Sequence, residues 1–174
     1  MRQIGQSYIA YTTDGGVERM LSANSGDSAH FVALLLAQRT NSTDASVYFV
    51  PGDPKAPNLP PAAVTDPDFA NATLSVEIAA NIPIGSEVTT TPIAWTRGLR
   101  EDGTWAPDSP FGGKGGYLVF FDGHTEWVDM LSTSDLKHDA YFLKYGAQTP
   151  TVNIREALPP GAVILSAEPN GAQK

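Results

Sequence analysis

The amino-acid sequence predicts an α+β fold, and three observations support that class. Apolar residues recur at helical spacing in two stretches near the start of the chain. Two β-prone runs flank the Asp122-Gly123 pair, which is typical of a hairpin turn. The 14 prolines and 16 glycines favour short elements joined by many turns. A length of 174 residues suits one globular domain, predicted to span residues 1–174.

Residues 1–13 are predicted to form the first helix. Ile4, Tyr8 and Tyr11 are spaced as i, i+4 and i+7, which places them on one helical stripe. Gly15 and Gly16 follow as a stop signal. Because the first residues supply no N-cap, we expect the native helix to continue upstream of residue 1.

A second helix is predicted from an N-cap at Asp27 or Ser28 to about Gln38. Its broad apolar face should pack deep in the core. That face is predicted to comprise Phe31, Val32, Leu34, Leu35 and Leu36.

Several short elements are predicted further along the chain. β-Prone residues indicate strands at 46–50, 74–79 and 92–96, and the prolines of 51–70 predict an irregular loop. We expect a helix at 134–144, followed by a turn at 157–160 and a closing strand at 162–165.

The hairpin over residues 116–129 is the clearest local signal. An Asp-Gly pair suits a two-residue type I′ turn, since both turn positions need positive φ. Counting outward from the turn pairs Phe121 with His124, Phe120 with Thr125, Val119 with Glu126 and Leu118 with Trp127. This register predicts that Leu118, Phe120 and Trp127 share one buried face.

Charge and cysteine content exclude several classes of function. The chain has 11 basic against 19 acidic residues, and this net charge of −8 opposes binding to nucleic-acid phosphates. The absence of cysteine excludes disulfides, thiolate zinc sites and cysteine nucleophiles. The longest apolar run, at 31–37, is far shorter than the roughly 20 residues that cross a bilayer.

Candidate sites for chemistry are few. His30, His124 and His138 lack the spacing of a shared metal site. Asp122 and His124 could form the acid/base pair of a small hydrolase, but their place on a tight turn favours a structural role. No catalytic residue and no cofactor is therefore predicted.

Two further side-chain groups leave alternatives open. Hard cations such as calcium bind carboxylates on loops, although the EF-hand spacing is absent and a solvated acidic surface is the simpler interpretation. The carboxylates in question are Glu101, Asp102, Asp108, Asp122, Glu126 and Asp129. Trp95, Trp105 and Trp127 could bind sugar rings as part of a β-rich carbohydrate-binding module, but core packing is favoured.

Two segments resemble the pilin-like pseudopilins of type II secretion, of the general secretion pathway protein G-related kind. These are residues 1–11, which resemble a prepilin-type N-terminus, and residues 116–127, which carry a Phe-x-Asp-Gly-His segment. Similarity extends over residues 92–129. The motif residues are Phe120, Asp122, Gly123, His124 and Trp127. A histidine that is common in the family, separated by nine residues from the Asp-Gly pair, is replaced here by Gly112.

The resemblance implies a pilin-like fold, in which an N-terminal helix packs on an antiparallel sheet, and a structural role without catalysis. The expected assembly is a type II secretion pseudopilus or a type IV pilus-like filament that takes part in protein secretion. Its partners would be other pilin or pseudopilin subunits and inner-membrane components of the secretion system. An apolar helix upstream of residue 1 would anchor this domain in the bacterial inner membrane, facing the periplasm.

Overall fold

The computed structural model describes residues 1–13, 16, 18–129 and 142–169. Helices and strands are mixed along the chain, which confirms the α+β class. The helices are α1 (Arg2–Thr13), α2 (Ala29–Thr40), α3 (Pro67–Asn71) and α4 (Ile154–Ala157). The strands are β1 (Val76–Ala80), β2 (Pro92–Thr96), β3 (Gly115–Phe120), β4 (Thr125–Asp129), β5 (Phe142–Leu143), β6 (Pro150–Thr151) and β7 (Val163–Leu165).

A five-stranded sheet with the order β4-β3-β2-β1-β7 forms the centre of the fold. Each neighbouring pair of strands in it runs antiparallel. Strand β2 has the predicted bounds, and β7 completes the sheet by pairing with β1, as the predicted closing strand requires. Strands β5 and β6 pair separately.

Helices α1 and α2 contact each other and the strands of the sheet. Ile4 and Tyr8 of α1 are buried and Tyr11 is half-buried, so the predicted stripe of this helix is confirmed. The Tyr8 hydroxyl donates a hydrogen bond of 3.0 Å to the carbonyl of Ala79 in β1. This bond ties the helix to a strand that lies 71 positions away along the chain.

Helix α2 begins after Ser28, as predicted, but its buried face differs from the predicted one. Phe31 is exposed, and Leu34 and Leu35 are only half-buried. Small residues occupy much of the buried face, since three of its six members are alanines. The buried residues are Ala29, His30, Val32, Ala33, Leu36 and Ala37.

The strand predicted at 46–50 is wrong, because a 3₁₀ helix covers Ala45–Tyr48. The Asp44 carboxylate accepts a hydrogen bond of 2.9 Å from the backbone N–H of Ser46, and this cap favours a helical turn over an extended strand. The rings of Tyr48 and Phe49 both meet the Phe69 ring edge-on. These aromatic side chains therefore pack against Phe69, and their segment does not pair as a strand.

The helix predicted at 134–144 falls largely outside the described residues, which resume at 142. Its described end is the strand β5, paired with β6, so the helical prediction is wrong there. The turn predicted at 157–160 lies two residues later, since Ala157 ends α4 and the Ala162 N–H donates to the Pro159 carbonyl at 3.0 Å. Residues 51–66 are irregular as expected, and the short helix α3 follows them.

Candidate functional site

The turn between β3 and β4 is built differently from the predicted type I′ turn. The Gly123 N–H donates to the Phe120 carbonyl at 2.8 Å, and the Phe120 N–H donates to the His124 carbonyl at 3.0 Å. Gly123 has φ of +84°, whereas Asp122 is not among the residues with positive φ. The loop therefore has three residues, with Gly123 in the left-handed position that closes a type I turn.

This extra loop residue shifts the predicted hairpin register by one position. Val119 pairs with Thr125 and Leu118 pairs with Glu126, while Trp127 lies opposite Tyr117. Neighbouring residues of a strand point to opposite faces, so the shift moves Trp127 away from the face of Leu118. Leu118 and Phe120 are buried as predicted, but Trp127 is 39% exposed, and its predicted burial is wrong.

Asp122 and His124 form a local pair within this turn. The Asp122 carboxylate accepts bonds from the backbone N–H of His124 at 3.0 Å and pairs with its ring Nδ1 at 2.5 Å. Burial alone would raise the pKa of Asp122, but these contacts with His124 outweigh it and lower that pKa. The His124 ring also stacks on Phe120, with 4.3 Å between ring centroids. All of these contacts stabilise the turn itself.

The hairpin lies directly against α1, where the backbone of the helix approaches it closely. A side chain on Gly5 would place its first carbon 2.6 Å from a methyl group of Val119 and 3.5 Å from the Cα of Gly123. A side chain on Gly123 would in turn meet Ile9 at 2.8 Å. The rings of Tyr8 and Phe121 meet edge-to-face, with centroids 6.0 Å apart. The candidate site is therefore this joint between α1 and the hairpin.

The opposite side of α1 faces solvent. Its exposed positions are polar or small, so this stripe differs in character from the buried one. They are Arg2, Gln3, Gln6, Ala10 and Thr13. Among the described residues, none of the helices has both the length and the apolar character needed to span a bilayer.

The three tryptophans occupy two different environments. Trp95 and Trp105 are 1% and 2% exposed, so neither has a ring face available to a sugar. Trp127 is left to serve the carbohydrate-binding alternative, and its ring meets Phe111 and Tyr117 at centroid distances of 4.9 Å. Sequence patterning missed this aromatic cluster because Phe111 lies in a glycine-rich loop outside any predicted strand.

The six carboxylates considered for calcium are not gathered at one place. Asp108 pairs with Lys55 at 2.8 Å, Glu101 pairs with Arg155 at 2.5 Å, and Asp122 pairs with His124. Across the described part of the chain, no three histidine or acidic side chains are placed to share a metal ion. The structure thus supplies no ligand set for the calcium alternative within these residues.

A buried ion pair is a feature that the sequence did not indicate. Arg97 donates to the Asp53 carboxylate at 2.6 Å and to the Asp108 carbonyl at 2.9 Å. Asp53 also accepts a hydrogen bond from the Ser75 hydroxyl at 2.6 Å. Asp53 lies in the proline-rich stretch, so the pair fixes that stretch to the sheet. Its local sequence, Pro51-Gly52-Asp53-Pro54, indicates only a turn and gives no sign of the ion pair.

Comparison with protein-family models, curated proteins and solved structures gives no significant match to this chain.

Proposed function

We propose that this protein is a structural subunit of a type II secretion pseudopilus or a type IV pilus-like filament. The observation that carries the proposal is the contact between the two segments that resemble pseudopilins. Residues 1–11 form most of α1, residues 116–127 form most of the hairpin, and the Gly5 backbone lies against Val119 and Gly123. Segments distant in sequence thus form one structural unit, as a shared structural role would require.

The two faces of α1 suit different partners within such a filament. Ile4 and Tyr8 hold the helix on the sheet, which leaves Gln6 and Ala10 on the outer side for contact with other subunits. An apolar helix continuing upstream would anchor the subunit in the inner membrane and pack in the filament shaft. The acidic domain, of net charge −8, would remain solvated in the periplasm.

Cysteine cross-linking in the native host tests this arrangement, because the chain contains no cysteine of its own. Gln6→Cys and Ala10→Cys, each in the complete gene product, should give a covalent dimer in membrane fractions treated with a bis-maleimide, because one thiol per chain can join two copies. Glu87→Cys is a matched control, since it is also exposed but lies between β1 and β2. It should give far weaker cross-linking.

Gene deletion supplies the functional readout. Loss of the gene should abolish secretion of specific proteins or formation of a pilus, and the wild-type gene should restore it. The proposal fails if the product is absent from membrane fractions, if neither α1 variant cross-links above the control, and if deletion leaves secretion and pili intact.

A further inference from the structure

An exposed aromatic patch lies at one end of the hairpin, formed by Phe111, Tyr117 and Trp127. The three rings meet edge-to-face, with centroids 4.9 to 5.8 Å apart. Tyr117 is 38% exposed and Trp127 is 39% exposed. The indole N–H of Trp127 donates to Asp129 at 2.7 Å, which holds its ring in place. Exposed apolar patches of this kind often mark sites of interaction.

A second unusual surface lies in the proline-rich stretch. Residues 57–61 read Pro-Asn-Leu-Pro-Pro, and Leu59 is 88% exposed. A cavity of about 620 Å³ beside Leu59 is also lined by Asp66 and Asp68. We call residues 57–61 the proline segment. Covering so exposed an apolar side chain with another surface is favourable, because it removes apolar area from water.

The aromatic patch and the proline segment are chemically complementary. Proline-rich segments bind aromatic-lined surfaces with a small entropic cost, since their backbone is already restricted. The patch has charges of both signs beside it, the exposed Lys114 before β3 and the exposed Asp129 at Trp127. Lys114 offers a charge opposite to that of Asp68, which is exposed beside the proline segment. One contact would cover Leu59 and Trp127 together and place Lys114 near Asp68.

We propose that the aromatic patch of one copy of this chain binds the proline segment of a second copy. Each chain carries both surfaces, so a second copy supplies the required partner chemistry without any other protein. The contact joins globular domains and does not involve α1. It therefore goes beyond filament assembly through α1, and the two proposals can fail separately.

Sedimentation analysis of the 174-residue chain tests the contact. The wild-type chain should associate as its concentration rises, and Leu59→Asp and Trp127→Ser should each weaken association by about tenfold or more, as loss of a central contact residue does. Val88→Asp is a matched control, because Val88 is 44% exposed but its carbonyl accepts from Asp122 at the turn end of the sheet. It should leave association unchanged.

Charge exchange tests the orientation of the two copies. Lys114→Glu and Asp68→Lys should each weaken association, and the double variant should recover much of it, since the pair is then restored with reversed signs. Both residues are exposed, so neither change should disturb the fold. Double-variant association no stronger than that of the single variants would overturn the assignment of this pair.

A synthetic peptide of residues 54–63 provides an independent probe. It contains no tryptophan, and Trp127 is much more exposed than Trp95 and Trp105, so a shift in protein fluorescence would report on the aromatic patch. The peptide should bind the wild-type chain, disperse its oligomers and fail to bind Trp127→Ser. The proposal is overturned if the chain stays monomeric at about 1 mM, or if a polysaccharide shifts the fluorescence while the peptide does not.

Discussion

A single residue in the turn before β4 decides where Trp127 lies. The Asp-Gly signal correctly predicts a hairpin, yet the loop contains Phe121 as well as Asp122 and Gly123, since Phe120 pairs with His124. The backbone N–H of Phe121 donates to the Thr91 carbonyl at 2.9 Å, and its ring packs against Tyr8. Tertiary contacts of Phe121 therefore outweigh the local preference for a two-residue turn.

The different environments of the tryptophans lead to a prediction about stability. Trp95→Ala should lower the free energy of unfolding by about 3 to 5 kcal/mol, because it empties a buried site. It also removes the indole N–H that donates to Glu77 at 2.8 Å. Trp127→Ala should cost about 1 kcal/mol or less, as expected for a partly exposed side chain. Urea unfolding of both variants measures the difference, and equal losses would contradict the observed register.

The sequence predicted burial well where apolar residues followed a single helical period. The stripe of Ile4 and Tyr8 is buried as expected, because helical spacing alone defines it. The sequence pattern could not predict the ion pair of Asp53 and Arg97, because 44 positions separate these residues and sequence patterns report only on neighbours in the chain. It also could not distinguish the buried Trp105 from the exposed Trp127. Their burial depends on long-range packing and on one turn residue.

At the scale of elements, α1 and the hairpin are joined by close backbone approach. An alanine at position 5 would gain about 0.5 to 1 kcal/mol of helix propensity over glycine. It would also place its Cβ 2.6 Å from a methyl group of the buried Val119, which is too close without movement. Overpacking of this kind costs about 1 to 3 kcal/mol and should outweigh the gain.

Gly5→Ala is therefore expected to lower stability by up to about 2.5 kcal/mol, which is the net of these two effects. Val119→Ala should lower it as well, by leaving a small cavity. The double variant should be more stable than the sum of the two losses predicts, because the new methyl group then fills the vacated space. Thermal and urea unfolding of the four proteins completes the cycle, and additive losses would argue against the close contact.

His30 links α2 to the chain leading into β1. Its Nε2 lies 2.8 Å from the Ala72 carbonyl, its Nδ1 lies 3.1 Å from the Ser28 hydroxyl, and its ring meets Phe69 edge-on. Burial lowers the pKa of His30, and the raising effects of the Ala72 hydrogen bond and of Glu168 do not offset this. Neutral imidazole suits this position, with Nε2 as the donor to the carbonyl.

This lowered pKa predicts a pH dependence of stability. Between its folded and unfolded pKa values His30 binds fewer protons in the folded protein, so its contribution is present above the unfolded value of about 6.5 and is lost as pH falls. His30→Gln does not titrate, while its amide can still donate to Ala72. The wild type should lose more stability than this variant between pH 7 and pH 5. Parallel losses in urea unfolding would exclude His30 as the cause.

At the scale of the whole molecule, helices, sheet and long connections are held together by different means. The class of fold and the pairing of β3 with β4 follow from periodicity and turn residues, which act locally. Apolar contacts join α1 and α2 to the sheet. The stretch at 51–66 forms no helix or strand, and its prolines supply no backbone N–H donors. Val64 fixes the end of this stretch in the core, and the polar anchor at Asp53 holds its start.

The anchor of the proline-rich stretch can be tested by removing one partner. Asp53 is completely buried at its side chain and Arg97 nearly so, so Asp53→Ala leaves a buried charge without its carboxylate. We expect a loss of about 3 to 5 kcal/mol, as for other broken buried pairs. Asp108→Ala is the control, because its ion pair with Lys55 is about half exposed. Such exposed pairs contribute about 1 kcal/mol or less.

Loss of the Asp53 anchor should expose the backbone near Lys55 to protease, in addition to lowering the free energy of unfolding. Asp53 accepts a hydrogen bond from the backbone N–H of Lys55 at 3.0 Å, so its loss loosens the backbone directly before the Lys55–Ala56 peptide bond. Trypsin should therefore cut after Lys55 faster in Asp53→Ala than in Asp108→Ala, under conditions where both remain folded. Adding Arg97→Met removes the orphaned charge and should recover part of the global stability, since an apolar side chain tolerates the buried site. It should not restore protection at Lys55, because the bond from Asp53 is still missing. Equal cleavage of the two single variants, together with equal stability, would show that the buried pair does not hold this stretch in place.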